Sequence, residues 1–342
     1  MNIEILQILA YLIVGAAVTL YVVLDGFDLG VGILQIFAGK DENRRIFLNS
    51  IGPFWDGNEV WLIAIVGTLF VAFPDVYSIL LSGFYLLIMW MLLGVILRAV
   101  AMEFRSKEKS LKWRYSWDAI FWFASVTITF TAGVLLANLL IGVPITKERE
   151  LYISLKEVFN PFAICVGVFA ISLFALHGNI FLLIKTEGAL QEKLHKFMIV
   201  TYPVFVLCFI LSTIWTWTEL PRITNIFLVH KVFFLLPFTL LITMFLVAYC
   251  AYKKNYGYSF LFSMIMITLF FLLTLVGTFP NMIPSTLDFA GNSLTIYNAS
   301  SQKTTLVITL IIAATGLPLV FLYGAILYTV FKGKTKLTDY SY

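Results

Sequence analysis

The feature that most constrains this chain is a succession of nine continuously apolar runs, near residues 5–24, 54–73, 77–99, 117–141, 161–184, 198–217, 226–250, 258–279 and 305–331. About 30 Å of hydrocarbon takes about 20 residues of helix at about 1.5 Å rise each, so every run is long enough to cross a bilayer. The runs do not alternate apolar and polar residues, which rules out the strands of a membrane barrel. With 61% hydrophobic and 12% charged residues, the chain is far from a soluble composition. The expectation is an all-α polytopic membrane protein, a single integral membrane domain over residues 1–342 with about nine spanning helices. The first helix can extend to Phe37, because Gly30 to Phe37 is apolar again, and Asp56, Asn58 and Glu59 occupy the first turns of the second.

Charge orients the helices. The formal net charge of +4 does not point to nucleic acid, because the basic residues sit in short clusters between apolar runs. With nine crossings, 17 of the 23 Lys and Arg fall on the side that holds the C-terminus; Lys147, Arg149, Lys156, Arg222, Lys231 and Lys303 remain on the other. The positive-inside rule then places the N-terminus in the periplasm and the C-terminus in the cytoplasm. Met1-Asn2-Ile3-Glu4 lacks the basic start of a secretory signal, so the first helix is expected to be retained. Cys165, Cys208 and Cys250 lie within apolar runs without metal-site spacing and read as packing residues. The longest outer connectors, 142–160 and 280–304, carry turn formers rather than a folded domain.

An ionisable side chain at membrane depth costs from about 2.5 kcal/mol upward, so it faces the bundle interior, finds a partner or marks an ion path. Asp25 and Asp28 are three apart and share a helix face; Asp56 and Glu59 repeat that spacing at the start of the second helix. The topology brings all four, together with Arg98 near the end of the third run, to the cytoplasmic half of three consecutive helices. A helix dipole accounts for Asp56 and Glu59, and snorkelling for Arg98, but neither accounts for two acids toward a helix C-terminus. Crowded carboxylates in a low dielectric can exchange protons near neutral pH, with Arg98 holding one ionised. A proton entry and a cation-coupled transporter site need the same ingredients.

Glycines at 15, 26, 30 and 32 permit close helix approach. Trp55 and Trp61 suit a membrane interface or the wall of a flat-ring ligand site. Of the three histidines, His177 lies in an apolar run, His195 in a basic connector and His230 beside Lys231, with no two at matching depth for a bis-ligated haem. His177 is expected to be a satisfied core histidine giving polar support, and no metal or haem site is expected in this chain.

The run Leu24-Asp25-Gly26-Phe27-Asp28-Leu29-Gly30-Val31-Gly32, followed by Arg44-Arg45 and by Asn49 to Leu62 with its Gly52-Pro53-Phe54-Trp55-Asp56-Gly57-Asn58-Glu59 core, resembles the signature of cytochrome bd ubiquinol oxidase subunit II. Ser82-Gly83-Phe84-Tyr85, Glu103 to Lys107, Trp117-Asp118, and the stretches beginning at His177-Gly178 and Phe279-Pro280 extend the resemblance over the whole chain. It implies two four-helix bundles plus one helix, in the multi-pass setting of a bacterial inner membrane. It further implies a subunit of a quinol-oxidising, oxygen-reducing terminal oxidase that has no catalytic residue of its own. Haem b and haem d would belong to a partner subunit I, and a small one-helix subunit often joins. By matching motif, Asp25, Asp28 and Asp56 would lie on the proton route, Trp55 and Arg98 at a site able to take a quinone, and Trp61 at an oxygen path, with Glu59 as polar support. The alternative is a proton-coupled secondary transporter, although the chain lacks the paired broken helices such proteins often show.

Overall fold

The computed structural model describes residues 2–337. Its helices are α1 (Ile3–Leu34), α2 (Asp41–Ile51), α3 (Trp55–Ala72), α4 (Pro74–Gly83), α5 (Tyr85–Phe104), α6 (Leu111–Ile141), α7 (Leu155–Val158), α8 (Pro161–Lys185), α9 (Gly188–Glu219), α10 (Pro221–Val229), α11 (Leu235–Tyr252), α12 (Tyr256–Thr278), α13 (Phe289–Asn292) and α14 (Lys303–Val330). Among the described residues, nine helical segments are long and apolar enough to cross a membrane. They are α1, α3, α5, α6, α8, α9, α11, α12 and α14, some with a short flanking turn, and they correspond to the nine runs.

The first helix takes the longer of its two expected lengths, and two of the runs are broken. The first helix does not end near Leu24 but runs to Leu34 and on through a 3₁₀ turn to Phe37, so Asp25 and Asp28 sit within a continuous helix rather than at its C-terminus. The run 77–99 is broken at Phe84, where Gly83 is pressed against Leu151; an added Cβ would lie 2.2 Å from that side chain. The run 226–250 is broken at His230, which separates α10 from a 3₁₀ turn and α11. Apolar content reports depth, not backbone continuity, and so passes over both breaks.

At the centre, α1, α6 and α8 pack against one another; α3 and α14 lie on α1, α5 on α6, and α9 and α12 on α8, with α11 against α12. Glycine sets the central distance. A Cβ on Gly30 would fall 1.9 Å from the Phe174 carbonyl oxygen, and one on Gly178 2.4 Å from the carbonyl carbon of Gly30, so α1 and α8 cross with backbones in contact. Gly32 gives the same access to α6, with Ser125 Oγ 2.0 Å from its would-be Cβ. Around the crossing, Phe27 stacks on Phe181 at 4.1 Å and Phe54 on Tyr328 of α14 at 4.7 Å. Lys185 Nζ sits 4.9 Å from the centre of the Phe54 ring and donates to the Phe331 carbonyl at 2.6 Å, tying the end of α14 to the end of α8.

Helix ends gather into two groups. At the end rich in Lys and Arg, an ionic network joins four elements. Asp118 of α6 accepts from Arg105 Nε (2.6 Å) and Gln35 Nε2 (2.7 Å) on one oxygen, and from Arg105 Nη2 and Arg44 Nη1 (both 3.1 Å) on the other. Asp41, at the first turn of α2, accepts from Arg105 (2.6 Å) and Arg114 (2.8 Å). At the opposite end, a two-stranded antiparallel hairpin, β1 (Asn281–Ile283) and β2 (Leu294–Thr295), packs with the connector after α6, whose Val143 exchanges backbone hydrogen bonds with Pro284 and Thr286. Ser154 and Glu157 form a capping box on α7, and Arg149 of the connector after α6 pairs with Asp75 in the first turn of α4.

Two outcomes follow from this packing. Gly30→Ala should force α1 and α8 apart at a cost of about 1–3 kcal/mol, read as a lower melting temperature of the detergent-solubilised protein. Gly26→Ala, whose Cβ would make an ordinary 3.4 Å contact with Phe174, should be tolerated, and equal effects of the two would refute the crossing constraint. Partial burial opposes ionisation of Asp41, but the hydrogen bond and charge of Arg105 and the charge of Arg114 outweigh it, so this carboxyl titrates below its usual range. Its stabilising contribution is therefore present above the unfolded value of about 3.9 and is lost as pH falls through the lowered folded value. The melting-temperature gap between wild type and Asp41→Asn should be constant above about pH 5 and shrink below about pH 4. A gap that persists undiminished at lower pH contradicts this role.

Candidate functional site

The continuous α1 carries Asp25 and Asp28 into the centre of the bundle, where both are fully buried. The helix has no choice about the face: Gly26 and Gly30 must meet α8, and the two acids, at their own angular positions, turn toward α3 and α5. There Arg98 of α5, 1% exposed, donates from a single nitrogen, Nη2, to Asp25 Oδ1 at 2.8 Å and to Glu59 Oε1 at 2.5 Å. Asn58 of α3 donates from Nδ2 to Asp28 Oδ2 at 2.7 Å and to the Leu24 carbonyl at 3.2 Å. Tyr328 of α14 reaches Asn58 Oδ1 at 3.5 Å, and the buried Tyr21 lies beside Asp25. Four helices thus contribute to one polar centre of three carboxylates and one guanidinium.

The arrangement distinguishes the expected residues. Asp25, Asp28, Glu59 and Arg98 come together; Arg98 does not snorkel to a membrane surface, because it is enclosed by its acids. Asp56 is exposed one turn before Glu59 and has no place in the buried centre. Carboxylate burial is therefore graded along α3 and into α1: Asp56 is open, the Glu59 side chain is 19% exposed, and Asp25 and Asp28 are closed. Breaking a buried ion pair from one side leaves the other charge stranded at about 3–5 kcal/mol, so Asp25 and Arg98 depend on each other. Asp25 Oδ2, Asp28 Oδ1, and Arg98 Nε and Nη1 have no protein hydrogen-bond partner, which leaves capacity for a mobile polar species at the centre.

Trp55 is half-buried against the core, and Trp61 is 3% exposed between Tyr21 of α1 and Phe321 of α14, with the Trp61 and Phe321 rings 5.6 Å apart. His177 is fully buried and both of its ring nitrogens are held, Nδ1 by Ser263 Oγ at 2.8 Å and Nε2 by the Val23 carbonyl at 3.0 Å, with Phe260 stacked on the ring at 4.9 Å. Since a carbonyl only accepts, Nε2 carries the proton and Nδ1 faces the Ser263 hydroxyl, a tautomer assigned from the bonding pattern. Such an imidazole is in no position to ligate iron. Among the described residues no group of three or more His, Cys, Asp or Glu could hold a metal ion.

Sequence reasoning passed over Asn58, Tyr21 and Tyr328. Asn58 had a signal, since an amide between two acids in an apolar run needs a partner; Tyr21 and Tyr328 had none, being ordinary members of apolar runs. The Asp118 network was hidden because its arginines read as topology signals.

Comparison with known proteins bears on this site. The family described as cytochrome bd terminal oxidase subunit II matches residues 6–331. Cytochrome bd-I ubiquinol oxidase subunit 2 of Escherichia coli strain K12 is 30% identical across 98% of this chain and 97% of its own length. Cytochrome bd ubiquinol oxidase subunit 2 of Bacillus subtilis strain 168 is 35% identical over 87% of each chain. The solved structure of bd oxidase from Geobacillus thermodenitrificans superposes with a TM-score of 0.79 over 95% of this chain and 98% of that one, at 14% identity, a likeness of fold. These matches leave the secondary-transporter alternative without support. A buried carboxylate centre with no metal-ligand set, on nine membrane helices matched from end to end, therefore has a family: the chain belongs to the cytochrome bd terminal oxidase subunit II family.

Proposed function

We propose that this subunit feeds protons from the basic, cytoplasmic side of the membrane toward an oxygen-reducing centre in a partner subunit I that carries haem b and haem d. The observation that carries this reading is the graded burial of its carboxylates. Asp56 is exposed on the surface of α3, Glu59 lies one turn deeper on the same helix, and Asp25 and Asp28 are enclosed beyond it. Arg98 offsets two of the charges and leaves Asp28 held only by the neutral Asn58 amide. A proton arriving at this centre would find its most accessible acceptor in a carboxylate without a cation on it. The free oxygens of Asp25 and Asp28 are the atoms at which it would be held.

We assign the haems to the partner because the one histidine buried in this bundle, His177, is committed on both ring nitrogens. No redox step is therefore assigned to this chain; the haems, when bound in the partner, supply the electron transfer. The Trp55 and Arg98 pair fits a quinone poorly, because Arg98 lies beneath Asp25 and Glu59 with 1% exposure. Trp61 borders an apolar seam between α1, α3 and α14, which suits an oxygen path. The partner is best accommodated on α3 and α14, the least buried of the nine spans, since Asp56 and Glu59 would otherwise border lipid. The inner membrane of a bacterium is the setting in which such a complex, with or without a small third subunit, would oxidise quinol.

The test is quinol oxidase turnover of the assembled complex with its visible spectrum recorded in parallel. Asp28→Asn should lower turnover by about tenfold or more while the haem bands persist, because a relay group is lost without a stranded charge. Asp56→Asn should have a smaller effect, since Asp56 lies outside the buried centre. Unchanged turnover in Asp25→Asn, Asp28→Asn and Glu59→Gln alike would remove the proton role. Loss of haem bands in Asp28→Asn would make the centre an assembly element instead.

A further inference from the structure

Away from the carboxylate centre, the basic end of the molecule holds an open recess of about 230 Å³ between the α8–α9 and α11–α12 connectors, lined by Gly188, Glu192, His195, Lys196, Lys254 and Tyr256 among others. Two long helices start on its wall, α9 at Gly188 and α12 at Tyr256, and neither N-cap residue, Glu187 or Asn255, bonds back onto its helix. Their first-turn N–H groups and helix dipoles add positive potential to the two ammonium groups. Glu192 is the one carboxylate in the lining, so Lys196 and Lys254 leave a formal surplus of one positive charge. The Tyr256 hydroxyl meets His195 Nδ1 at 3.2 Å and supplies a further polar group beside them.

Lys254 carries a second signal. It ends α11 with φ of +57°, while its N–H bonds Ala251 O and that of Asn255 bonds Cys250 O. This is the helix-stop position at which glycine is free of strain, and lysine is there at a backbone cost. The side chain that comes with that cost borders the recess.

Depth favours a ligand from the bilayer. The recess adjoins the ends of three spans, and the exposed rings of Tyr249 and Tyr252 each lie 5.9 Å from Lys253 Nζ, a pairing of aromatic and cation suited to headgroup level. We propose that this recess binds a phosphate group, presented by an anionic phospholipid headgroup or as the free ion, with Lys196 and Lys254 on its oxygens. A zwitterionic headgroup brings its own ammonium against the two lysines and is disfavoured.

Native mass spectrometry of the intact complex tests this, with dioleoyl-phosphatidylglycerol, dioleoyl-phosphatidylcholine and inorganic phosphate titrated separately. Lys254→Gly removes the ammonium while suiting the backbone, so it is combined with the exposed Lys196→Gln; Lys109→Gln with Lys112→Gln removes two charges elsewhere at the same end. Tightest-site affinity for phosphatidylglycerol should fall about tenfold or more in the first pair and not in the second, because two charge-assisted contacts are lost. Saturable phosphate binding that the first pair abolishes, without preference for phosphatidylglycerol, would support the site with the free ion as its ligand. Equal loss in both pairs, or no change in the first for either probe, would overturn it.

Discussion

The rest of the molecule depends on the contact of two backbones, α1 and α8, at Gly30 and Gly178. Lipid chains are as apolar as the side chains they surround, so helices in a membrane gain little from hydrophobic burial and associate through close packing. A side chain larger than hydrogen at Gly30 would overlap the Phe174 carbonyl, so this crossing is fixed in both position and rotation. Once α1 is fixed, the opposite face carrying Asp25 and Asp28 has only α3, α5 and α14 to meet. The placement of the acids is a consequence of the placement of the glycines.

Charge then takes over as the organising force. Arg98 on α5 and Arg105 in the 3₁₀ turn that continues it are seven residues apart, two turns or about 10 Å along the axis, and each is the hub of its own network. The inner hub binds α1 to α3 and leaves carboxylate oxygens free. The outer hub binds α2, α6 and the turn that follows α1, and uses all four oxygens of Asp41 and Asp118. One is built as a polar centre with spare capacity, the other as a clamp.

Much of this could be read in the amino acids. Apolar length and the distribution of basic residues predicted the nine spans, and the cost of charge at depth singled out Asp25, Asp28, Asp56, Glu59 and Arg98 as a group, of which the structure leaves Asp56 outside. The burial of Asp25 and the exposure of Asp56 could not be read, because both acids flank apolar runs and only the rotation of their helices separates them. The breaks at Phe84 and His230 were hidden for a related reason: both lie within apolar sequence, and the packing beside Phe84 is against Leu151, distant in the chain. The Asp118 clamp was masked because a single arginine can serve membrane orientation and a buried ion pair at once.

The pairing of Asp25 with Arg98 also bears on how the molecule is made. Arg98 follows Asp25 by 73 residues, so at about 5–20 residues per second several seconds separate the two during synthesis. Throughout that interval α1 presents two acids whose counter-charge does not yet exist, each opposed at mid-membrane by about 2.5–3.5 kcal/mol on the insertion scale. Deep seating of the first helix is thereby tied to the arrival of the third span. Tyr328, which reaches the same centre from α14, is made after the other residues of the site, so the centre closes only once α14 has been inserted.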